Sequence, residues 1–249
     1  MITVKTASQI SVMKEACKIS AEALALAGRS VEDGMSTKEL DAIMHKFIVK
    51  AGAKPSFLGY AGFPATACIS INDEVIHGIP NKHRIIRSGD IVSVDVGAYY
   101  RGYHGDNAAT FAVGEVSSDA RQLLAVTSEA LMKGIAQAVV GNRVGDISHA
   151  IEEYVRTFGY GIVKKYVGHG VGAEMHEEPE IPNFGPAGRG VRLVEGMTIA
   201  IEPMINIKGD DVKVMPDQWT VKTVSGSLSA HFEHTVAITQ NGPVIMTAV

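Results

Sequence analysis

The chain repeats its own plan, and a repeat of this kind restricts the fold more than any single motif does. Thr6 and Gln9 have the spacing of a capping box, and Met13, Cys17, Ser20, Ala23, Leu24 and Ala27 keep helical spacing, which predicts a first helix that stops at Gly28. Ser36 and Glu39 repeat the capping pattern. Leu40, Ile43, Met44, Phe47, Ile48 and Ala51 then recur on one helical face before Gly52. After this second helix the period changes to two: residues 67–71 and 90–111 are rich in β-branched residues and read as strands. Then the order restarts. Residues 118–141 read as a long helix, Ile147, Ile151, Tyr154, Val155 and Phe158 form an apolar stripe ending at Gly159, and strand-like segments fill the rest. Gly52 and Gly159, which close the second helix of each half, lie 107 residues apart, and 107 residues after Asp95 stands another acid, Glu202. The expectation is an α+β chain, residues 1–249 forming one domain of two similar halves.

Composition narrows the setting. A content of 46% hydrophobic and 20% charged residues suits a globular protein. No apolar run approaches the ~20 residues of a membrane helix, and the N-terminus lacks the apolar stretch of a secretory signal. Cys17 and Cys68 are the only cysteines, too few for a disulfide framework, so a reducing compartment, the cytoplasm, is expected. The net charge of −4 comes from interspersed signs without a basic block, which argues against DNA or RNA as a partner.

The first chemistry lies in residues 90–96. Val92, Val94 and Val96 face one way, and Ser93 and Asp95 the other. Tyr99-Tyr100-Arg101-Gly102 reads as a turn, and a turn centred between Tyr100 and Arg101 sets Asp95 directly opposite Asp106. Two carboxylates so placed repel, and a cation between them removes the conflict; two solvated aspartates slightly out of register is the alternative. His169 lies in Gly168-His169-Gly170, where flanking glycines allow a close backbone approach but also describe a flexible loop. Glu202 sits in an apolar strand-like segment, where an acid needs a cation or a proton. Glu233 lies in a late strand and reads alone as a solvent-facing edge residue. Taken together, four carboxylates and one imidazole form a hard ligand set suited to Mn²⁺, Fe²⁺, Co²⁺ or Zn²⁺, and their four charges balance two dications.

These five residues, in Val94-Asp95-Val96, Gly105-Asp106-Asn107, Gly168-His169-Gly170, Ile201-Glu202-Pro203 and Phe232-Glu233-His234-Thr235, resemble in order and spacing the metal ligands of the methionine aminopeptidases. The resemblance extends to Ile69-Ser70-Ile71-Asn72, His77-Gly78-Ile79-Pro80, His176-Glu177-Glu178-Pro179 and Ser229-Ala230, and points to the short type I bacterial form. It implies the pita-bread fold, two αβ halves about a pseudo-twofold axis with antiparallel sheet and flanking helices. It implies two divalent ions, Asp95 chelating one, His169 and Glu202 the other, with Asp106 and Glu233 bridging both. Glu202 matches the general base and acid, His176 the histidine that polarises the scissile carbonyl, and His77 the one that contacts the bond being cut. Tyr60, Phe63, Cys68 and Trp219 match the wall of the methionine pocket. Phe57 and Met175 stand beside that wall, Phe57 reading equally as plain core, while Ala61 and Met175 depart from the commonest family pattern. Asn72 and Ser229 resemble residues near a monovalent-cation site of some relatives.

The implied reaction is removal of the initiator methionine from nascent polypeptides, with a small second residue preferred, by a monomer that meets N-terminal methionyl peptides at or near the ribosome. Two rivals share the fold: a Xaa-Pro peptidase, which usually carries a sizeable N-terminal domain, and a non-catalytic binding module, which normally lacks some ligands. G-x-S-x-G, G-x-x-x-x-G-K-[ST] and H-E-x-x-H are all absent, so a serine hydrolase, a P-loop enzyme and a single-zinc protease are unsupported. Gly168-His169-Gly170-Val171-Gly172 is too short for a dinucleotide loop.

Overall fold

Capping and apolar periodicity put four helices where the repeat predicts them: α1 (Ala7–Ser30), α2 (Thr37–Lys50), α3 (Ser118–Ala136) and α4 (Val144–Arg156). The structure, a computed structural model, describes residues 2–248. Both capping boxes form, Thr6 with Gln9 and Ser36 with Glu39. Gly28 does not end α1, which continues to Ser30; a side chain there would drive into the ring of Phe111, so packing explains this glycine. The third helix stops at Ala136, short of the expected 141, and the chain turns at Gly141 with φ +97°. Gly52 and Gly159 both have positive φ, +79° and +70°, shortly beyond the helices they follow, which end at Lys50 and Arg156.

The helices pack against a nine-stranded sheet: β1 (Lys54–Pro55), β2 (Ala67–Ile71), β3 (Ile91–Tyr100), β4 (Tyr103–Ala112), β5 (Gly168–Gly170), β6 (Glu177–Ile181), β7 (Thr198–Ile201), β8 (Glu233–Thr239) and β9 (Gly242–Ile245). Its order is β1-β3-β4-β8-β7-β5-β6, with β2 also on β3 and β9 on β8, and every pairing is antiparallel. Each half has its own apolar layer. Leu24, Leu40, Met44 and Ile48 pack on Ile69, Val92, Val94 and Val96, whereas Leu123, Leu131, Ile147, Ile151 and Val155 pack on Ile181, Ile199, Ile201, Val236 and Ile238. Because side chains alternate along a strand, each apolar set leaves the intervening residues on the opposite face.

The β3–β4 hairpin differs from the expected register. Arg101 and Gly102, at φ 50° and 90°, form a two-residue turn that pairs Tyr100 with Tyr103. Asp95 therefore faces Ala108, and Asp106 faces Gly97. The turn lies one residue later than expected, because the left-handed pair falls on Arg101-Gly102 instead of Tyr100-Arg101. The two aspartates share a face as diagonal neighbours.

Candidate active site

The sheet register gathers five side chains from distant parts of the chain into two neighbouring rows. In the first, Asp95 pairs with Ala108 and Ala108 with Glu233, and one step beyond the His234–Ile201 pair comes Glu202. In the second, Gly97 pairs with Asp106, and Thr235 joins Asp106 to Ala200: its hydroxyl donates to the Asp106 carbonyl at 2.8 Å and accepts from the Asp106 N–H at 3.2 Å. The Gly170–Ile199 pair sets His169 level with Ala200. The glycines around His169 belong to packed strand β5, since a side chain at Gly168 would meet the Ala200 carbonyl and one at Gly170 the Glu178 backbone. Glu233 is 2% exposed on a central strand, so the edge reading of that residue does not hold.

Coordinating atoms of Asp106, His169 and Glu233 lie within 4.8 Å of one another, and His169 Nε2 is 3.5 Å from Glu202 Oε1. Burial pushes Asp95, Glu202 and Glu233 well above the usual carboxylate range, and the nearby Asp106 carboxylate adds to this; burial raises Asp106 to about 7. No lysine or arginine lines this cavity among the described residues. Asp95 Oδ1, Asp106 Oδ1 and Glu233 Oε1 are buried without a hydrogen-bond partner among the described residues. Orphaned anionic oxygens cost several kcal/mol unless a cation or proton meets them, and this donor set fits divalent metal. His169 is prepared in the same sense. Its Nδ1–H donates to the Gly170 carbonyl at 2.8 Å, which leaves the Nε2 lone pair directed at the acids, and burial lowers its pKa to about 3.

A cavity of about 180 Å³ opens beside these groups. Phe57, Tyr60, Phe63, Cys68, Met175 and Trp219 line it together with His77 and His176, so Phe57 contributes to the cavity as well as to the core. Phe63 meets Trp219 edge-on with ring centres 5.1 Å apart. Asp217 holds the Trp219 loop by accepting the N–H groups of Trp219 and Thr220 at 3.0 and 2.9 Å. Burial, then the nearby Asp95, pushes the Cys68 thiol well above its usual value, so this sulfur packs as a neutral group. His77 adopts the left-handed φ of 59°, a conformation costly for a side-chain-bearing residue, and burial lowers its pKa to about 4. The exposed His176 lies across the cleft. Its Nδ1 is 2.7 Å from the Tyr60 hydroxyl and its ring centre 4.2 Å from that of His169. Ala61 is exposed in the same Tyr60 loop, at φ 47°.

Two placements were outside the reach of the sequence reading. Asn72 and Ser229 do meet, the Ser229 N–H donating to the Asn72 carbonyl at 2.9 Å, but the Asn72 amide is committed to Asp90 and to the Ile91 N–H. His231, which no motif singled out, is 1% exposed with Nε2 3.5 Å from Glu202 Oε2. The available signal was its position two residues before Glu233, the spacing that repeats a strand face.

Residues 11–240 match metallopeptidase family M24. A methionine aminopeptidase of Clostridium acetobutylicum is 54% identical over 247 residues, covering 99% of either chain. The crystal structure of a methionine aminopeptidase from Thermotoga maritima superposes with a TM-score of 0.98 at 46% identity, covering both chains completely. A prolidase from Pyrococcus furiosus superposes with a TM-score of 0.80 at 27% identity; the match covers 99% of this chain and 65% of that one.

Proposed function

Because the chain belongs to metallopeptidase family M24, in its methionine aminopeptidase branch, we propose that the two rows of ligands and the cavity beside them divide the work of one peptidase site. The chain has the pita-bread fold of that family and is a metal-dependent hydrolase that removes N-terminal methionine. A Xaa-Pro peptidase is disfavoured by the lower identity and partial coverage of the prolidase match. The observation that carries the site assignment is the convergence of four buried carboxylates and the Nε2 of His169, with three carboxylate oxygens unpartnered, at the mouth of an aromatic cavity.

Asp95, Asp106, His169, Glu202 and Glu233 would hold two divalent cations, with Asp106 and Glu233 shared between them. Bound there, such ions supply Lewis acidity that polarises a carbonyl and makes water nucleophilic near neutral pH. The protein does the rest. Glu202 takes a proton from the attacking water and returns it to the departing amine. His176 donates from Nε2 to the carbonyl oxygen as it gains charge; in the neutral imidazole that proton placement leaves Nδ1 to accept from the Tyr60 hydroxyl. His77 contacts the scissile bond from the opposite wall. Tyr60, Phe63, Cys68 and Trp219, with Phe57 and Met175, enclose an unbranched thioether, which packs well on aromatic rings.

The reading extends to Mn²⁺, Fe²⁺, Co²⁺ or Zn²⁺ as the ion, and to a monomer acting in the cytoplasm on new chains at the ribosome. Buried, free Cys17 and Cys68 suit that compartment, and no described helix is long and apolar enough to cross a membrane. The test pairs metal analysis of protein purified without added metal with assays on Met-Ala-Ser and Leu-Ala-Ser. Selective turnover of the first peptide, abolished reversibly by a chelator, is expected. Turnover of neither peptide by the metal-loaded protein overturns the assignment. If the cleft leaves limited room beyond the scissile bond, Met-Gly and Met-Ala starts should also be cut far faster than Met-Leu or Met-Lys; equal kcat/KM would show an open cleft.

A further inference from the structure

The Glu202 carboxylate lies between two imidazoles. Its Oε1 is 3.5 Å from His169 Nε2, and its Oε2 is 3.5 Å from His231 Nε2. His169 is already oriented through its bond to the Gly170 carbonyl, but neither ring nitrogen of His231 has a hydrogen-bond partner among the described residues, although His231 is 1% exposed. A buried imidazole carries at least one N–H, and leaving it unpaired is costly. The backbone of His231 is held firmly. Thr110 Oγ1 accepts its N–H at 2.9 Å and donates to its carbonyl at 2.9 Å, Ser93 Oγ lies 2.8 Å behind Thr110 Oγ1, and the short strand Ser229–His231 pairs with Met204–Asn206, the strand just after Glu202. The imidazole is therefore delivered to the Glu202 carboxylate by a hydrogen-bonded chain that starts on β3.

We propose that His231 is a positioning residue for Glu202: it donates Nε2–H to Oε2 and so keeps Oε1 turned toward the ligand face. A carboxylate that exchanges protons with a reacting group needs one oxygen held in a fixed direction, and without a donor on the other oxygen it can rotate about its terminal torsion. A neutral donor fixes that torsion without adding charge to a site that already concentrates four acids. The proposal rests on the reading of Glu202 as the proton-transfer group, and its test separates the two.

The direct measurement is a long-range ¹H–¹⁵N histidine spectrum of the protein loaded with diamagnetic Zn²⁺, near neutral pH. The expected result is His231 as the Nε2–H tautomer, with its resonance moved by Glu202→Gln. A Nδ1–H tautomer, or a resonance indifferent to that substitution, overturns the proposal. The second measurement compares His231→Ala with His231→Gln by steady-state kinetics on Met-Ala-Ser and by Mn²⁺ titration calorimetry. Loss of such an outer partner typically costs ~10–100-fold, so His231→Ala should lower kcat by about that factor with KM and Mn²⁺ stoichiometry little changed. His231→Gln should restore most of the loss, because its amide can donate to the same oxygen. Equal losses in the two variants, or wild-type kcat in both, overturn it. An inactive wild-type enzyme would instead remove the peptidase reading and leave the tautomer test standing.

Discussion

The two halves place their acids on equivalent strands but connect those strands differently. In the first half Asp95 and Asp106 lie on one hairpin closed by Arg101 and Gly102. In the second half Glu202 lies just past the end of β7 and Glu233 on the adjacent β8, with residues 203–232 between them, including Trp219 and the Ser229–His231 strand. The spatial order β3-β4-β8-β7 is symmetric about the β4–β8 contact, so Asp95 and Glu202 occupy the outer strands and Asp106 and Glu233 the inner ones. The 107-residue offset links the outer pair alone, since the inner pair is 127 residues apart. Sheet register alone is needed to build the ligand face. The connection is free to lengthen, and the second half uses it to supply a cavity wall and a histidine against Glu202.

This comparison is tested most severely at the inner pair. Asp106→Asn and Glu233→Gln should each reduce kcat to less than about a tenth of wild type, because a neutral amide is a poor bridge between cations. Steady-state kinetics with saturating Mn²⁺ would check this. A variant that keeps more activity than that would remove the two-metal arrangement, and a loss at one position only would show that the halves are not chemically equivalent.

The cleft histidines come next. His176→Ala should bind both metals by calorimetry yet lower kcat by ~10²–10³, the usual cost of one oxyanion donor, with little change in KM. His77→Ala should lose less, divided between kcat and KM. If His176→Ala loses a metal, His176 is a ligand; if it keeps full kcat, the donor lies elsewhere.

A third test needs no catalysis. In metal-free protein burial raises Asp106 from 3.8 to about 7, so its favourable contribution to folding is present below pH 3.8 and is lost as pH rises through about 7. Asparagine does not titrate. Urea melts in chelator should therefore show Asp106→Asn gaining on wild type between those two values and levelling off above them, by about 2–4 kcal/mol in total. A difference flat in pH would mean that the acid is not held protonated by the fold.

The smallest effect concerns the bond from the Tyr60 loop to His176. Tyr60→Phe keeps the ring and removes the 2.7 Å contact, so kcat should fall by about 2–10-fold, the worth of one ordinary hydrogen bond. A change confined to KM would assign Tyr60 to the pocket alone.

Local chemistry was enough to announce much of this molecule. The capping boxes at Thr6 and Ser36, the apolar stripes of α2 and α4, and the alternation of Val92, Val94 and Val96 against Asp95 depend on neighbours a few residues away, and each forms as its spacing predicts. The motifs around Asp95, Asp106, His169, Glu202 and Glu233 and around His77 and His176 could be picked out in the sequence because few residue types hold a metal or move a proton. What spacing left open was decided at a distance. Gly28 looked like a helix stop and is a gap for Phe111, while Gly168 and Gly170 looked like a loop and are where β5 lies flat against its neighbours. The hairpin register depended on which two residues took left-handed angles, and one position changed every cross-strand partner. His231 carried no motif at all. Its contact with Glu202 arises because Thr110 and the strand Met204–Asn206 hold it there, and pairings between residues far apart in the chain leave no periodic trace in sequence.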